Sequence, residues 1–265
     1  MDKILEIKNL IVEIDGRCVI DNVNLDLYKK NVTALIGESG SGKTLTALAI
    51  LNLLPNMADV IHGEINYKGN NVLKLDPDEL REIRGKNIGM VFQEPFTALN
   101  PVIRVGVQIS ETISAHYTIT RKELNEKVLR LLDMVKLPMT VLKSYPHELS
   151  GGMRQRVMMA IALSCDPEIL ILDEPTTALD VSVQKEILGL IKGIEIEKQF
   201  SVLFISHDFS VVNMVADEIF VMRNGRILES GNKNDVIHKP VHEYTKHLLD
   251  CVPRIGDERE RLPEE

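Results

Sequence analysis

Apolar residues between Ile4 and Ile14 alternate in places with Glu6, Lys8 and Glu13, the period of a strand with one wet face. Val23 to Leu27 alternates as well. Val32 to Ile36 is a short apolar run ending at a glycine-rich turn, the pattern of a buried strand. Leu45 to Leu54 then reads as a helix stopped near Pro55, Gly63 to Tyr67 as a further strand, and Gly69-Asn70-Asn71 as a turn. From Pro101 to Lys143 strand signals vanish, and Leu124, Val128, Leu131, Leu132 and Val135 recur at helical spacings. Alternation resumes with strand Ile169 to Leu172, helix Val181 to Lys192 and strand Val202 to Ile205. Strands alternating with helices imply a largely parallel sheet covered by helices, here an α/β fold with a helical subdomain inserted. There is no internal repeat, and the charged tail from Gly256 onward is expected to fray.

Composition narrows the function classes. The 265 residues are 44% hydrophobic and 26% charged, enough for a real core and unlike a disordered chain. A net charge of -8 and a pI near 5.5 argue against a nucleic-acid binder, which carries a basic face. Any anion site must therefore be local and built from backbone. No apolar run approaches the roughly 18 to 20 residues that span a bilayer, and the first residues lack a signal-peptide apolar region. Cys18, Cys165 and Cys251 lie far apart and form no CxxC, as expected of free thiols in a reduced, cytosolic protein.

Gly37-Glu38-Ser39-Gly40-Ser41-Gly42-Lys43-Thr44 matches G-x-x-x-x-G-K-[ST] between a buried-strand run and a helix. The glycines let the backbone curl so that its N–H groups face the phosphates of ATP. The following helix adds the positive end of its dipole. Lys43 supplies a charge to the β/γ oxygens, and the Thr44 hydroxyl is placed to ligate Mg²⁺. A chance glycine-rich turn would lack that strand-and-helix context. The run Ile169-Leu170-Ile171-Leu172-Asp173-Glu174 delivers two carboxylates at a strand end. Asp173 can hold Mg²⁺ through water, and Glu174 can polarise the attacking water.

Leu149-Ser150-Gly151-Gly152-Met153-Arg154-Gln155-Arg156 closely resembles the signature motif of ATP-binding cassette (ABC) ATPases. Gln93 resembles their Q-loop glutamine, Thr177-Ala178-Leu179-Asp180 their D-loop, and His207 their switch histidine. The motifs come in family order and span nearly the whole chain. The resemblance implies a P-loop NTPase (RecA-like) α/β core with an N-terminal antiparallel β subdomain and an inserted α-helical subdomain. Its implied boundaries are 1–94 and 165–240 for the core with the β subdomain, 95–164 for the helical part and 241–265 for a C-terminal extension. It also implies that two homologous cassettes pair head to tail around two ATP molecules. Ser150, Gly151 and Gly152 would then contact the γ-phosphate held by the partner's loop, consistent with a Ser-Gly-Gly turn that opens a helix. His207 would contact the γ-phosphate, Gln93 would sense Mg²⁺ and water, and Asp180 would cross the interface. The family stacks an aromatic residue on adenine; the matching position is Ile14, which can cover the ring but does not stack.

The segments Gln93 to Pro101, Tyr145 to Met153, Glu174 to Val181 and Pro240 to Leu249 are similar to those of the oligopeptide, dipeptide and nickel importers, with Glu243 where that group has proline. Met153 resembles the first cassette of a heterodimeric pair. The implied partners are two integral membrane permeases and, indirectly, an extracytoplasmic substrate-binding protein, with no nucleic acid. The implied location is the cytoplasmic face of the membrane, as a peripheral subunit. Peptide is the first expected cargo and nickel or a metal chelate the second. Relatives often carry a C-terminal cysteine cluster; with Cys251 alone in that region, no iron–sulfur cluster is expected. His238 and His242 would share a helix face from which His247 drifts, so a structural extension is favoured over a metal site. A soluble ABC ATPase acting on DNA or ribosomes fits less well without tandem cassettes, coiled-coil insertions or zinc-binding cysteines. A generic phosphate-loop kinase leaves the signature segment unexplained.

Overall fold

The structure is a computed structural model that describes residues 2–94, 98–177 and 179–250. Two sheets dominate it. The larger has strand order β10-β9-β3-β8-β7-β6. In chain order its strands are β3 (Val32–Ile36), β6 (Ile88–Val91), β7 (Ile169–Asp173), β8 (Ser201–Ser206), β9 (Glu218–Arg223) and β10 (Arg226–Asn232). Neighbours from β9 to β6 are parallel, and β10 closes the edge antiparallel to β9. Every residue of β3, β7 and β8 is buried, as a central parallel strand covered on both faces requires. Side-chain alternation splits them between two cores. Ala34, Ile36, Leu170, Leu172, Val202 and Phe204 face the helices. Leu35, Ile169, Ile171, Leu203 and Ile205 face the second sheet.

That second sheet is antiparallel, in the order β2-β1-β4-β5, from β1 (Lys3–Ile14), β2 (Arg17–Tyr28), β4 (Ala58–Tyr67) and β5 (Asn70–Asn71). Asp15 and Gly16 turn the first hairpin, both at positive φ. Helix α1 (Lys43–Ile50) lies between the sheets, with Ala47 and Ile50 buried among Leu5, Ile7 and Ile205. Helix α2 (Pro77–Ile83) starts in a capping box of Asp76 and Glu79.

The helical subdomain comprises α3 (Val105–His116), α4 (Arg121–Met134) and the start of α5 (Gly151–Leu163). Val105, Ile109 and Ile113 make one buried stripe, and Val128, Leu131 and Leu132 another. Thr120 and Glu123 form the capping box of α4. After β7 come α6 (Val181–Lys198) and α7 (Phe209–Val215), then α8 (Lys233–His238) and α9 (Glu243–Asp250) after the sheet.

Some boundaries differ from the sequence reading. Helix α1 stops at Ile50, because Asn52 turns the chain in a left-handed conformation, and α6 runs on to Lys198, where Gln199 does the same. His238 and His242 do not share a helix: α8 ends at His238, and His242 precedes α9 with its Nδ1 accepting the Tyr244 N–H at 3.1 Å. Among the described residues no group of three or more His, Cys, Asp or Glu could hold a metal ion, and no helix is long and apolar enough to cross a membrane. Cys251, Ala178 and positions 95–97 of the Q-loop segment lie outside the described residues.

Candidate functional site

The parallel register decides where the chemistry gathers. Ile36 pairs with Ser206 and Asp173 with Ile205, so β3, β7 and β8 end level. Gly37, Asp173, Glu174 and His207 therefore leave the sheet along one carboxyl edge, where α/β sheets bind ligands.

The loop turns into α1 at Gly42, whose φ of 108 is left-handed and whose missing Cβ would lie 2.9 Å from Met222 Cε. Lys43 is 4% exposed, and its ammonium donates to the carbonyls of Gly37 and Glu38, both at 2.8 Å. It also lies 3.9 Å from Glu174 Oε1. Burial pushes the Lys43 pKa down, against the pull of the Glu174, Asp173 and Glu38 carboxylates. Thr44 Oγ1 donates to Asp173 Oδ1 at 3.2 Å. Asp173 is almost fully buried; burial and the neighbouring Glu174 charge raise its pKa, while the Thr44 hydrogen bond and Lys43 oppose the rise.

Glu174 occupies a left-handed φ of 46, pinned by its N–H to the Ile205 carbonyl at 3.0 Å. Its Oε2 accepts from Thr177 Oγ1 at 2.8 Å and Gln93 Nε2 at 3.3 Å, and faces His207 Nδ1 at 3.2 Å. One carboxylate oxygen thus collects the segments after β6, β7 and β8, while the other faces Lys43. A buried carboxylate held this way, beside a cation and an aligned hydroxyl, can accept a proton from water brought to a phosphate. Non-glycine residues in this left-handed region cost about 1–3 kcal/mol and persist where the surroundings over-determine them.

The other candidate residues form a second group. Ser150 caps α5, its Oγ accepting the Met153 N–H at 3.3 Å. A Cβ on Gly152 would meet Val183 Cγ1 at 2.6 Å, so α5 and α6 approach here as only glycine permits. Asp180 caps α6, its Oδ1 accepting the N–H groups of Ser182 and Val183 at 3.1 and 3.0 Å. Among the described residues no hydrogen bond or ion pair joins Ser150, Gly151, Gly152 or Asp180 to the loop, Gln93, Asp173, Glu174 or His207. Ile14 is half-buried at the end of β1 beside Arg17 and Ala58. Its hairpin reaches the loop through Val19, whose carbonyl lies 3.2 Å from where a Gly42 Cβ would sit.

Two contacts escaped sequence reading, although both residues lie in segments that resemble the family's. Thr177 sits three positions after Glu174, a spacing that a turn could have flagged. Tyr244 belongs to the importer-like segment Pro240 to Leu249, but nothing local pointed to its hydroxyl accepting the Glu38 N–H at 3.2 Å.

A phosphate loop after β3, a buried Asp-Glu pair at the end of β7 and a separate signature turn capping α5 together define an ATP-binding cassette ATPase. Residues 20–177 match the family model described as "ABC transporter", and residues 228–265 match "Oligopeptide/dipeptide transporter, C-terminal region". The chain is 47% identical over 247 residues to the "Probable D,D-dipeptide transport ATP-binding protein" of Escherichia coli K12, covering 92% of this chain and 75% of that protein. It is 45% identical over 262 residues to the "Dipeptide transport ATP-binding protein" of Bacillus subtilis 168, covering 96% and 78%. Among solved structures, the ADP- and phosphate-bound dimeric cassette MJ0796 matches with a TM-score of 0.77 at 28% identity, over 86% of this chain and 98% of that one. The chain belongs to the ABC transporter family, in its oligopeptide/dipeptide group, and is an ATP-binding, ATP-hydrolysing transport subunit.

Proposed function

We propose that this chain powers peptide uptake as a peripheral subunit on the cytoplasmic face of the membrane. It works head to tail with a second homologous cassette, on two integral permeases fed by an extracytoplasmic binding protein. The observation that carries the mechanism is the convergence of Gln93, Thr177 and His207 on one oxygen of Glu174, beside Lys43 at the sheet edge. Gly37 to Thr44 bind the phosphates of ATP. Glu174 takes the proton of the attacking water, and His207 and Gln93 orient that water and the γ-phosphate. Ile14 covers adenine without stacking, so selectivity for the base is loose.

The residues around Thr44 fit Mg²⁺. A hydroxyl already aligned on a buried carboxylate whose pKa is raised is a hard-oxygen pair that gains from a cation. Thr44 and Gln93 would hold the ion directly and Asp173 through water; when bound it neutralises charge on the β- and γ-phosphates. Ser150, Gly151 and Gly152 complete the partner's site, and Asp180 crosses to it. Residues 1–94 and 165–240 act as the core, 95–164 as the helical unit linked to it through Gln93, and 241–265 as the extension.

Relatives named for dipeptide and peptide transport support peptide as cargo, with nickel or a metal chelate as the alternative. The test is reconstitution of the chain with its partner cassette and permeases in proteoliposomes. ATP hydrolysis is expected to rise when peptide-loaded binding protein is added. Stimulation by nickel-loaded binding protein instead would transfer the assignment to the alternative, and co-sedimentation with ribosomes without membrane association would contradict an importer.

A further inference from the structure

The phosphate loop is held from outside by the C-terminal segment. Tyr244, in the first turn of α9, is 3% exposed, and its hydroxyl accepts the Glu38 N–H at 3.2 Å. The Arg223 guanidinium lies 4.4 Å over its ring. Arg223 follows Met222, the residue packed against Gly42, and one turn later Gly225 N–H donates to Ser41 O at 2.9 Å. The end of the β9–β10 hairpin and α9 therefore brace the same loop.

The position of α9 is itself fixed. Glu229 on β10 accepts the Val241 N–H at 2.8 Å and the His242 N–H at 3.0 Å, one on each carboxylate oxygen. His242 Nδ1 then accepts the Tyr244 N–H. A continuous path runs from β10 through Glu229, the 241–242 turn and Tyr244 to the second residue of the loop. Glu38 has both backbone groups engaged: its N–H by Tyr244, its carbonyl by Lys43 Nζ at 2.8 Å and by Ser41 N–H at 3.2 Å. A glycine-rich loop loses conformational freedom when it closes on phosphate, and a loop ordered beforehand loses less.

We propose that Tyr244 is a positioning residue for ATP: it touches no nucleotide, but by fixing the Glu38 peptide it pre-orders the phosphate loop, so that the C-terminal segment sets nucleotide affinity. This rests on Gly37 to Thr44 being the ATP site. Burial pushes the Tyr244 phenol pKa up, so the group stays a neutral hydroxyl whose oxygen is available to accept.

The test uses the full chain with Tyr244→Phe, which keeps the ring and its contact with Arg223. Titration with a fluorescent ATP analogue and Mg²⁺ should give a Kd weakened roughly 3- to 10-fold, the effect of leaving one part-buried N–H unpaired. In the assembled transporter the KM for ATP should rise with kcat retained. A purely structural role would lower the melting temperature and leave Kd and KM unchanged. Hydrogen exchange on the wild-type chain without nucleotide should show the Glu38 amide protected, and this needs no variant. Wild-type affinity in Tyr244→Phe, or exchange of the Glu38 amide at its unprotected rate, overturns the proposal. If Tyr244→Phe fails to fold, Glu229→Gln, which weakens the anchor of the 241–242 turn, should weaken affinity in the same direction, and unchanged affinity there overturns the proposal too. Lys43→Ala separates the two readings. If it loses ATP binding while Tyr244→Phe does not, Tyr244 alone is misassigned; if it binds as wild type, the site itself is.

Discussion

Asp173 shows how the site stores a cost that its ligand relieves. Its carboxyl is buried and its pKa raised chiefly by that burial. A folded-state pKa above the unfolded one favours the protonated form. That contribution is complete below the unfolded pKa and disappears as pH rises through the folded value. Once ionised, Asp173 therefore works against folding when no cation is bound. Asp173→Asn should raise the melting temperature of the nucleotide-free chain by a few degrees at pH 7, about 1 kcal/mol or less in a chain of this size. The advantage should shrink as the buffer is acidified through the raised pKa. The same variant should lose Mg²⁺-dependent hydrolysis; scanning calorimetry in buffers of progressively lower pH beside an ATPase assay checks both. Lys43 was legible in the sequence through its place in the G-x-x-x-x-G-K-[ST] pattern, and Asp173 and Glu174 because they end an apolar strand run that fixes their place at a sheet edge. The Tyr244–Glu38 bond was not, since it joins positions 206 residues apart and depends on where α9 docks.

Among the elements, the close approach of α5 and α6 at Gly152 is the tightest constraint on the signature turn. Gly152→Ala places a methyl 2.6 Å from Val183 Cγ1, and over-packing of this kind costs about 1–3 kcal/mol. Denaturant melts should show that loss, and Gly152→Ala combined with Val183→Ala should recover much of it. Full stability in the single variant would mean that the helices separate freely there. Much of the element pattern was readable: β1, β3, β7 and β8 sit where alternation or apolar runs placed them, and α4 carries the spaced stripe of Val128, Leu131 and Leu132. Strands β6, β9 and β10 were not drawn out. Ile88–Val91 is four residues long and follows a polar turn, too short for a period to emerge. The β9–β10 hairpin did carry a signal, since Asn224-Gly225 with both residues at positive φ is a turn that pairs adjacent strands. The histidines near the C-terminus misled because Pro240 lies between them, and α8 ends at His238 before the chain restarts at α9.

For the whole molecule, the candidate residues fall into two groups with no hydrogen bond or ion pair between them among the described residues. Lys43, Thr44, Gln93, Asp173, Glu174 and His207 make one; Ser150, Gly152 and Asp180, at the starts of α5 and α6, make the other. On the proposed pairing, each group of this chain completes a site with the opposite group of its partner. Hydrolysis should then depend on chain concentration and be slow for the chain alone. Ser150→Ala should depress turnover at the partner's loop while leaving this chain's own ATP affinity within about threefold. Equilibrium binding and steady-state rates on the mixed pair distinguish the two effects. The most direct measurement replaces Glu174 with Gln in a pair whose partner cassette has been inactivated, so that only this chain's carboxylate reports. Turnover should fall at least about a hundredfold, as loss of a general base predicts, with MgATP affinity retained and the two cassettes held together by ATP on size-exclusion chromatography. Hydrolysis at the unsubstituted rate would contradict the account.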